Sequence, residues 1–206
     1  VTRYAVTGTD TGVGKTVVAA GIAGHLRAAY WKPVQAGLDE ETDSEAVRRL
    51  TQGRARVLPE GYRLVTPCSP HEAARIDGLR IDPATLALPR GDEPLVVEGA
   101  GGALVPLSDD LLYADMFALW GLPVIVVART TLGTINHSLL TVEALRARGV
   151  VVAGVVFSGD ENAASETAIV GLGACRHLGR LPPLDPLTSE TLADAVARHI
   201  RMDLLA

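Results

Sequence analysis

The chain has 206 residues, 48% hydrophobic and 21% charged, a globular composition with enough apolar material for one sizeable core. Its formal charge of -5 argues against a general nucleic-acid or anionic-membrane surface, because holding a polyanion takes a positive field, so any phosphate site must be local. The only two cysteines, Cys68 and Cys175, offer neither zinc-type spacing nor a disulfide framework, and no apolar segment reaches the length of a membrane span; a single cytoplasmic domain over 1–206 is expected.

Apolar runs at 3–7, 29–34, 94–97, 123–128, 151–157 and, more weakly, 177–181 read as strands. Segments of helical spacing fill the gaps at 15–28, 44–50, 110–120, 135–148, 163–174 and 189–200. The strand at 123–128 is apolar on both faces, as expected when helices cover both sides of a parallel sheet. The pattern predicts an α/β, three-layer fold with a mostly parallel sheet. In such sheets ligands collect at the carboxyl ends of the strands.

Behind the first strand comes Gly-Thr-Asp-Thr-Gly-Val-Gly-Lys-Thr at 8–16, and a helical run follows at once. Strand, glycine-rich loop, Lys-Thr and helix form the context of a P-loop. Its N–H groups and the helix dipole face one anion, with Lys15 reaching the outer phosphates and the Thr16 hydroxyl on Mg²⁺. The usual spacing asks for glycine at position 9, where Thr9 stands; Gly8 comes one residue early.

The second strand ends in Lys32, which reads either as a second phosphate-facing charge or as a solvated edge lysine. Next come Asp39, Glu40, Glu41 and Asp43, any one of which could supply a second carboxylate beside the acidic strand end Glu98, a magnesium-ligand candidate. An acidic helix N-terminus accounts for the four equally well. The turn at 67–71, with Ser69, Pro70 and His71, reads as structural. After the fourth strand, Thr134 reads as a helix cap, while the free N–H groups there and the Asn136 amide could bind a carboxylate.

Five segments in order resemble the dethiobiotin synthetase family: 8–16, Lys-Pro-Val-x-x-Gly at 32–37, Ser-Pro-His at 69–71, Val-Glu-Gly-Ala-Gly-Gly at 97–102 and Leu-Gly-Thr-Ile-Asn-His at 132–137. The early glycine of the loop is a trait of that family. The resemblance implies that 7,8-diaminopelargonate, CO₂ and ATP give dethiobiotin, ADP and phosphate by way of a carbamate and a carbamic-phosphoric anhydride.

It further implies that Lys15, Lys32 and Thr11 serve the chemistry, with Thr9, Asp10, Gly12, Val13, Gly14, Lys15, Thr16 and Ser158 around the nucleotide. Thr16, Asp43 and Glu98 would bind Mg²⁺. Lys32, Ala36, Glu98, Gly133, Thr134, Ile135 and Asn136 would meet the substrate, the last four across a homodimer interface. Ala36 stands where the family often has a hydroxyl residue. Ser158 stands where an Asn commonly reads adenine, and one hydroxyl cannot reproduce an amide's paired donor and acceptor, so a relaxed choice of nucleoside triphosphate is expected. Lys32→Gln is expected to fold normally and lose turnover. P-loop switches of the cell-division and plasmid-partition type share the pattern but carry a signature lysine where this chain has Asp10.

Overall fold

Residues 2–205 are described in a computed structural model; Val1 and Ala206, the ends of the expected 1–206 domain, lie outside them. In chain order the elements are β1 (Arg3–Gly8), α1 (Lys15–Leu26), β2 (Ala29–Trp31), β3 (Val34–Ala36), α2 (Asp43–Thr51), β4 (Arg56–Val57), β5 (Tyr62–Leu64), α3 (Pro70–Ile76), β6 (Leu95–Gly102), α4 (Tyr113–Trp120), β7 (Val124–Arg129), α5 (Thr134–Arg146), β8 (Val152–Ser158), α6 (Ala163–Leu172), β9 (His177–Leu181) and α7 (Ser189–His199).

Seven strands form one parallel sheet in the order β4-β2-β6-β1-β7-β8-β9. From β1 the chain lays down β2 and β4 on one side, returns to insert β6 between β2 and β1, and then adds β7, β8 and β9 on the other side, so β1 lies at the reversal of strand order. Crevices for ligands open there, beyond the carboxyl ends of the strands. Alternation along the strands divides the core in two: Leu95, Val97, Val124 and Val126 face one apolar cluster, Val96, Ile125 and Val127 the other. Both faces are thereby covered, which is why these strands read as unbroken apolar runs.

The expected strand at 29–34 is two strands. Pro33 has no N–H for the ladder, so β2 stops at Trp31 and β3 leaves the sheet to pair with β5 in a small parallel pair of its own. The expected helix at 110–120 begins at Tyr113 instead, where the Asp115 carboxylate accepts from the Leu112 N–H at 2.9 Å. Helix α1 ends at Leu26 because Arg27 turns left-handed, with φ of 50°.

Candidate active site

Strand β1 delivers the chain into the loop at Gly8, where a Cβ would fall 2.7 Å from Val13 Cγ2 and 2.9 Å from the Asp10 oxygen. Only glycine fits, which gives the early-glycine spacing a steric cause. Gly12 and Gly14 have φ of 70° and 92°, left-handed values that suit glycine. Between them the Val13 side chain anchors the loop in the core. Gly14 caps α1 without a side-chain bond, so the first-turn N–H groups stay available to an anion. Lys15 is buried at the helix start, and its Nζ donates to the Asp10 carbonyl at 2.8 Å. Burial, then the charge of Lys32, push its ammonium down to about 8.

Across the loop, β2, β6 and α2 bring three further groups together. Lys32 Nζ lies 2.5 Å from Asp43 Oδ2, 3.2 Å from Glu98 Oε1 and 2.9 Å from the Gly99 carbonyl, so all three ammonium hydrogens have acceptors. Lys32 is 3% exposed, which excludes the solvated edge lysine. Burial works against its charge, but Glu98 and Asp43 overcome that and hold its pKa above the usual lysine value. Burial pushes the Glu98 carboxyl up, opposed by Lys32.

Thr16 Oγ1 stands 2.7 Å from Asp43 Oδ1 and 2.9 Å from Glu98 Oε1 and can donate to only one of them at a time. A hydroxyl and two carboxylates with a spare lone pair suit magnesium, which combines one or two carboxylates with phosphate and water. No group of three or more His, Cys, Asp or Glu among the described residues offers an alternative metal centre.

The choice among the four acidic residues is made by position. Asp39 and Glu40 are exposed, and Glu41 pairs outward with Arg49, whereas Asp43 opens α2 directly opposite Thr16. Gln35 helps set it there, its Oε1 accepting from the Asp43 N–H at 3.2 Å. Neither Gln35 nor Tyr30, which donates to Glu98 Oε2 at 2.8 Å, carried a signal in the sequence.

Lys15, Thr16, Lys32, Gln35, Asp43 and Glu98 line a cleft of about 670 Å³ that also takes in Thr11, Gly12, Gly14, Ala36 and the turn at 67–70. That turn, read as merely structural, forms one wall. His71 faces a separate hollow and does not line the cleft. Thr9 and Asp10 border a second hollow, of about 370 Å³, together with Leu104, His137 and Leu140. Ser158 does not line the cleft either; it stands behind the loop, where a Cβ on Gly14 would come 2.7 Å from its Oγ.

Gly133, Thr134, Ile135 and Asn136 lie apart from the cleft, and all but Thr134 are exposed. The expected Thr134 cap is corrected: Gly133 occupies the cap position with no side-chain bond. The buried Thr134 hydroxyl points back to donate to the Arg129 carbonyl at 2.5 Å.

A family model described as an AAA domain matches residues 2–191. An ATP-dependent dethiobiotin synthetase BioD from Agrobacterium fabrum is 59% identical over 201 residues, 97% of this chain and 95% of the relative. One of the same description from Rhodopseudomonas palustris is 61% identical over 199 residues, 96% and 94% of the two chains. Among solved structures, a cell-division ATPase MinD from Pyrococcus furiosus superposes with a TM-score of 0.60 at 13% identity, covering 96% of this chain and 99% of its own. A ParA family ATPase from Chlorobium tepidum gives 0.56 at 8% identity, covering 99% and 96%. At such identity these two structures speak for the P-loop fold alone.

Proposed function

The chain belongs to the family of ATP-dependent dethiobiotin synthetases, and we propose that its cleft closes the ureido ring of dethiobiotin on 7,8-diaminopelargonate with CO₂ and ATP. The reaction is that of an ATP-dependent ligase forming carbon–nitrogen bonds. One amine of the substrate takes up CO₂ as a carbamate and loses a proton. The carbamate oxygen attacks the γ-phosphorus, ADP leaves, and the second amine attacks the mixed anhydride to release phosphate and close the ring.

The observation that carries this reading is the convergence of Lys15, Thr16, Lys32, Asp43 and Glu98 on one cleft at the carboxyl edge of β1 and β6. No serine or cysteine needs to act as nucleophile, because the substrate supplies its own. The chain's part is to place charge where negative charge gathers, the main protein contribution to phosphoryl transfer. Lys15 and the N–H groups of 12–16 would hold the outer phosphates. Lys32 would meet the carbamate and the transferring phosphoryl oxygens by exchanging one of its three present acceptors. Thr16, Asp43 and Glu98 would hold Mg²⁺, which would neutralise phosphate charge. Thr11 and Ala36 also line the cleft and would meet the diamine.

We assign Gly133, Thr134, Ile135 and Asn136 to the substrate carboxylate of a second copy. Support comes from the uncapped start of α5 and from the apolar surface around it: Leu132 is 103% exposed, with Leu140, Leu104 and Ile135 beside it in exposure at 56%, 50% and 37%. No helix among the described residues is long and apolar enough to cross a membrane; the cytoplasmic location and the single domain remain part of the proposal.

The test is phosphate release from ATP and Mg²⁺ in bicarbonate, with and without 7,8-diaminopelargonate, with the product identified by mass spectrometry. Diamine-dependent release yielding the cyclic urea is the expected result. Release that ignores the diamine would move the chain to the nucleotide switches whose fold it shares.

A further inference from the structure

The two oxygens of Glu98 are treated differently. Oε1 faces Thr16 and Lys32 at 2.9 and 3.2 Å, whereas Oε2 has a single partner among the described residues, the phenolic hydroxyl of Tyr30 at 2.8 Å. Both side chains are 0% exposed. Strand register explains how they meet. Tyr30 of β2 sits beside Val96 of β6, and Val96 and Glu98, two residues apart, share one face of the strand. The Tyr30 ring therefore runs along that face towards the carboxylate. It is packed in the cluster that holds Val6, Val47, Leu50 and Val96, which fixes it in place.

A glutamate's terminal torsion is broad and roughly two-fold, so sheet position alone does not decide which oxygen looks into the cleft. We propose that Tyr30 is a positioning residue for the magnesium site, its hydroxyl holding Glu98 Oε2 so that Oε1 is presented beside Thr16 and Asp43. The proposal rests on the reading of Thr16, Asp43 and Glu98 as the metal-binding group. Tyr30 touches neither metal nor substrate in this scheme and acts through Glu98 alone. Hydrogen-bond partners standing behind a ligating carboxylate typically change metal affinity by about 10–100-fold.

Mn²⁺ serves as the probe, titrated into the full chain in the presence of ADP and followed by the loss of its free-ion electron paramagnetic resonance signal. The native chain binds Mn²⁺, and Glu98→Gln weakens that binding strongly. Tyr30→Phe raises the dissociation constant about tenfold or more in a chain whose circular dichroism is unchanged. Tyr4→Phe, which removes a half-buried hydroxyl that donates to the Leu205 carbonyl at 3.3 Å and lies outside the cleft, leaves the constant unchanged. A Tyr30→Phe constant within about twofold of native, against the tenfold expected, overturns the proposal and leaves the metal site standing. Native and Glu98→Gln chains that bind equally well overturn both.

Should Tyr30→Phe not fold, 3-fluorotyrosine incorporated at the four tyrosines reads the same contact in the intact protein. The Tyr30 fluorine resonance, assigned by elimination with phenylalanine at Tyr4, Tyr62 and Tyr113, moves when Mg²⁺ is added to the ADP-bound chain. An unmoved resonance overturns the proposal.

Discussion

The hydrogen bond from Lys15 Nζ to the Asp10 carbonyl, 2.8 Å long, curls the lysine back over its own loop, where it is only 7% exposed. Burial first, and Lys32 second, bring its pKa from 10.5 to about 8. The folded value lies below the unfolded one, so between these two values the unfolded chain binds more protons and stability rises with pH. Below about 8 the whole penalty applies, on the order of 3 kcal/mol. Lys15→Met is therefore expected to abolish nucleotide binding and yet stabilise the ligand-free chain at neutral pH by about 1–2 kcal/mol. Urea midpoints for both chains from about pH 7 to about pH 10 check this: the native midpoint climbs relative to the variant's. A variant less stable than native at neutral pH contradicts the account.

Lys32 is held differently, and the expectation that Lys32→Gln folds normally has to be revised. The residue closes a buried network with Asp43 and with Glu98, itself fully buried. Removing one member of a buried ion pair strands the others, which typically costs about 3–5 kcal/mol. Lys32→Gln should lose turnover and also unfold at markedly lower urea. Millimolar Mg²⁺ should restore part of the loss in this variant, since a cation is what the two carboxylates then lack. A variant as stable as native, with or without Mg²⁺, would show that Lys32 does not compensate those charges.

Apolar runs and helical spacing carried most of the fold in the sequence: β1, β6 and β7 follow from runs of four to six residues, and α5 from helical spacing. β3, β4 and β5 are two or three residues long and show no period to read. Lys15, Thr16 and Glu98 were legible because strand ends and a helix start place them. Asp43 was not separable from Asp39, Glu40 and Glu41 by residue type, since its role depends on where Gln35 and α2 aim it. Tyr30 reads as an ordinary core residue, and only the β2–β6 register reveals its hydroxyl against Glu98.

Ser158 bears on nucleotide choice. Its Oγ is turned towards Gly14, close enough that a Cβ there would come within 2.7 Å. A single hydroxyl so placed can give a base at most one hydrogen bond, worth about 0.5–1.5 kcal/mol. Discrimination by this residue between ATP and CTP or GTP should accordingly not exceed about tenfold. Diamine-dependent phosphate release with each triphosphate at limiting concentration measures it. A preference for ATP that stays far above tenfold in both the native chain and Ser158→Ala would place base selection elsewhere.

The surface around α5 makes the last prediction. Leu132 and Leu140 are large, apolar and exposed, and Leu140 shares a hollow with Thr11 and Leu104. A stable interface buries about 800 Å² on each partner, and an apolar patch at the uncapped start of α5 is a natural centre for one. If a second copy covers it, Leu132→Asp with Leu140→Asp should yield monomers in sedimentation velocity at micromolar concentration. The KM for the diamine should rise at least about tenfold, since a fixed donor set for a carboxylate is worth roughly 1.5–3 kcal/mol. Binding of ATP should change little, because Lys15, Thr16 and the loop lie within one chain. The paired change is decisive: a native chain that sediments as a monomer while turning over normally would detach Gly133, Thr134, Ile135 and Asn136 from the reaction. Loss of the dimer with an unaltered KM would leave them to assembly alone.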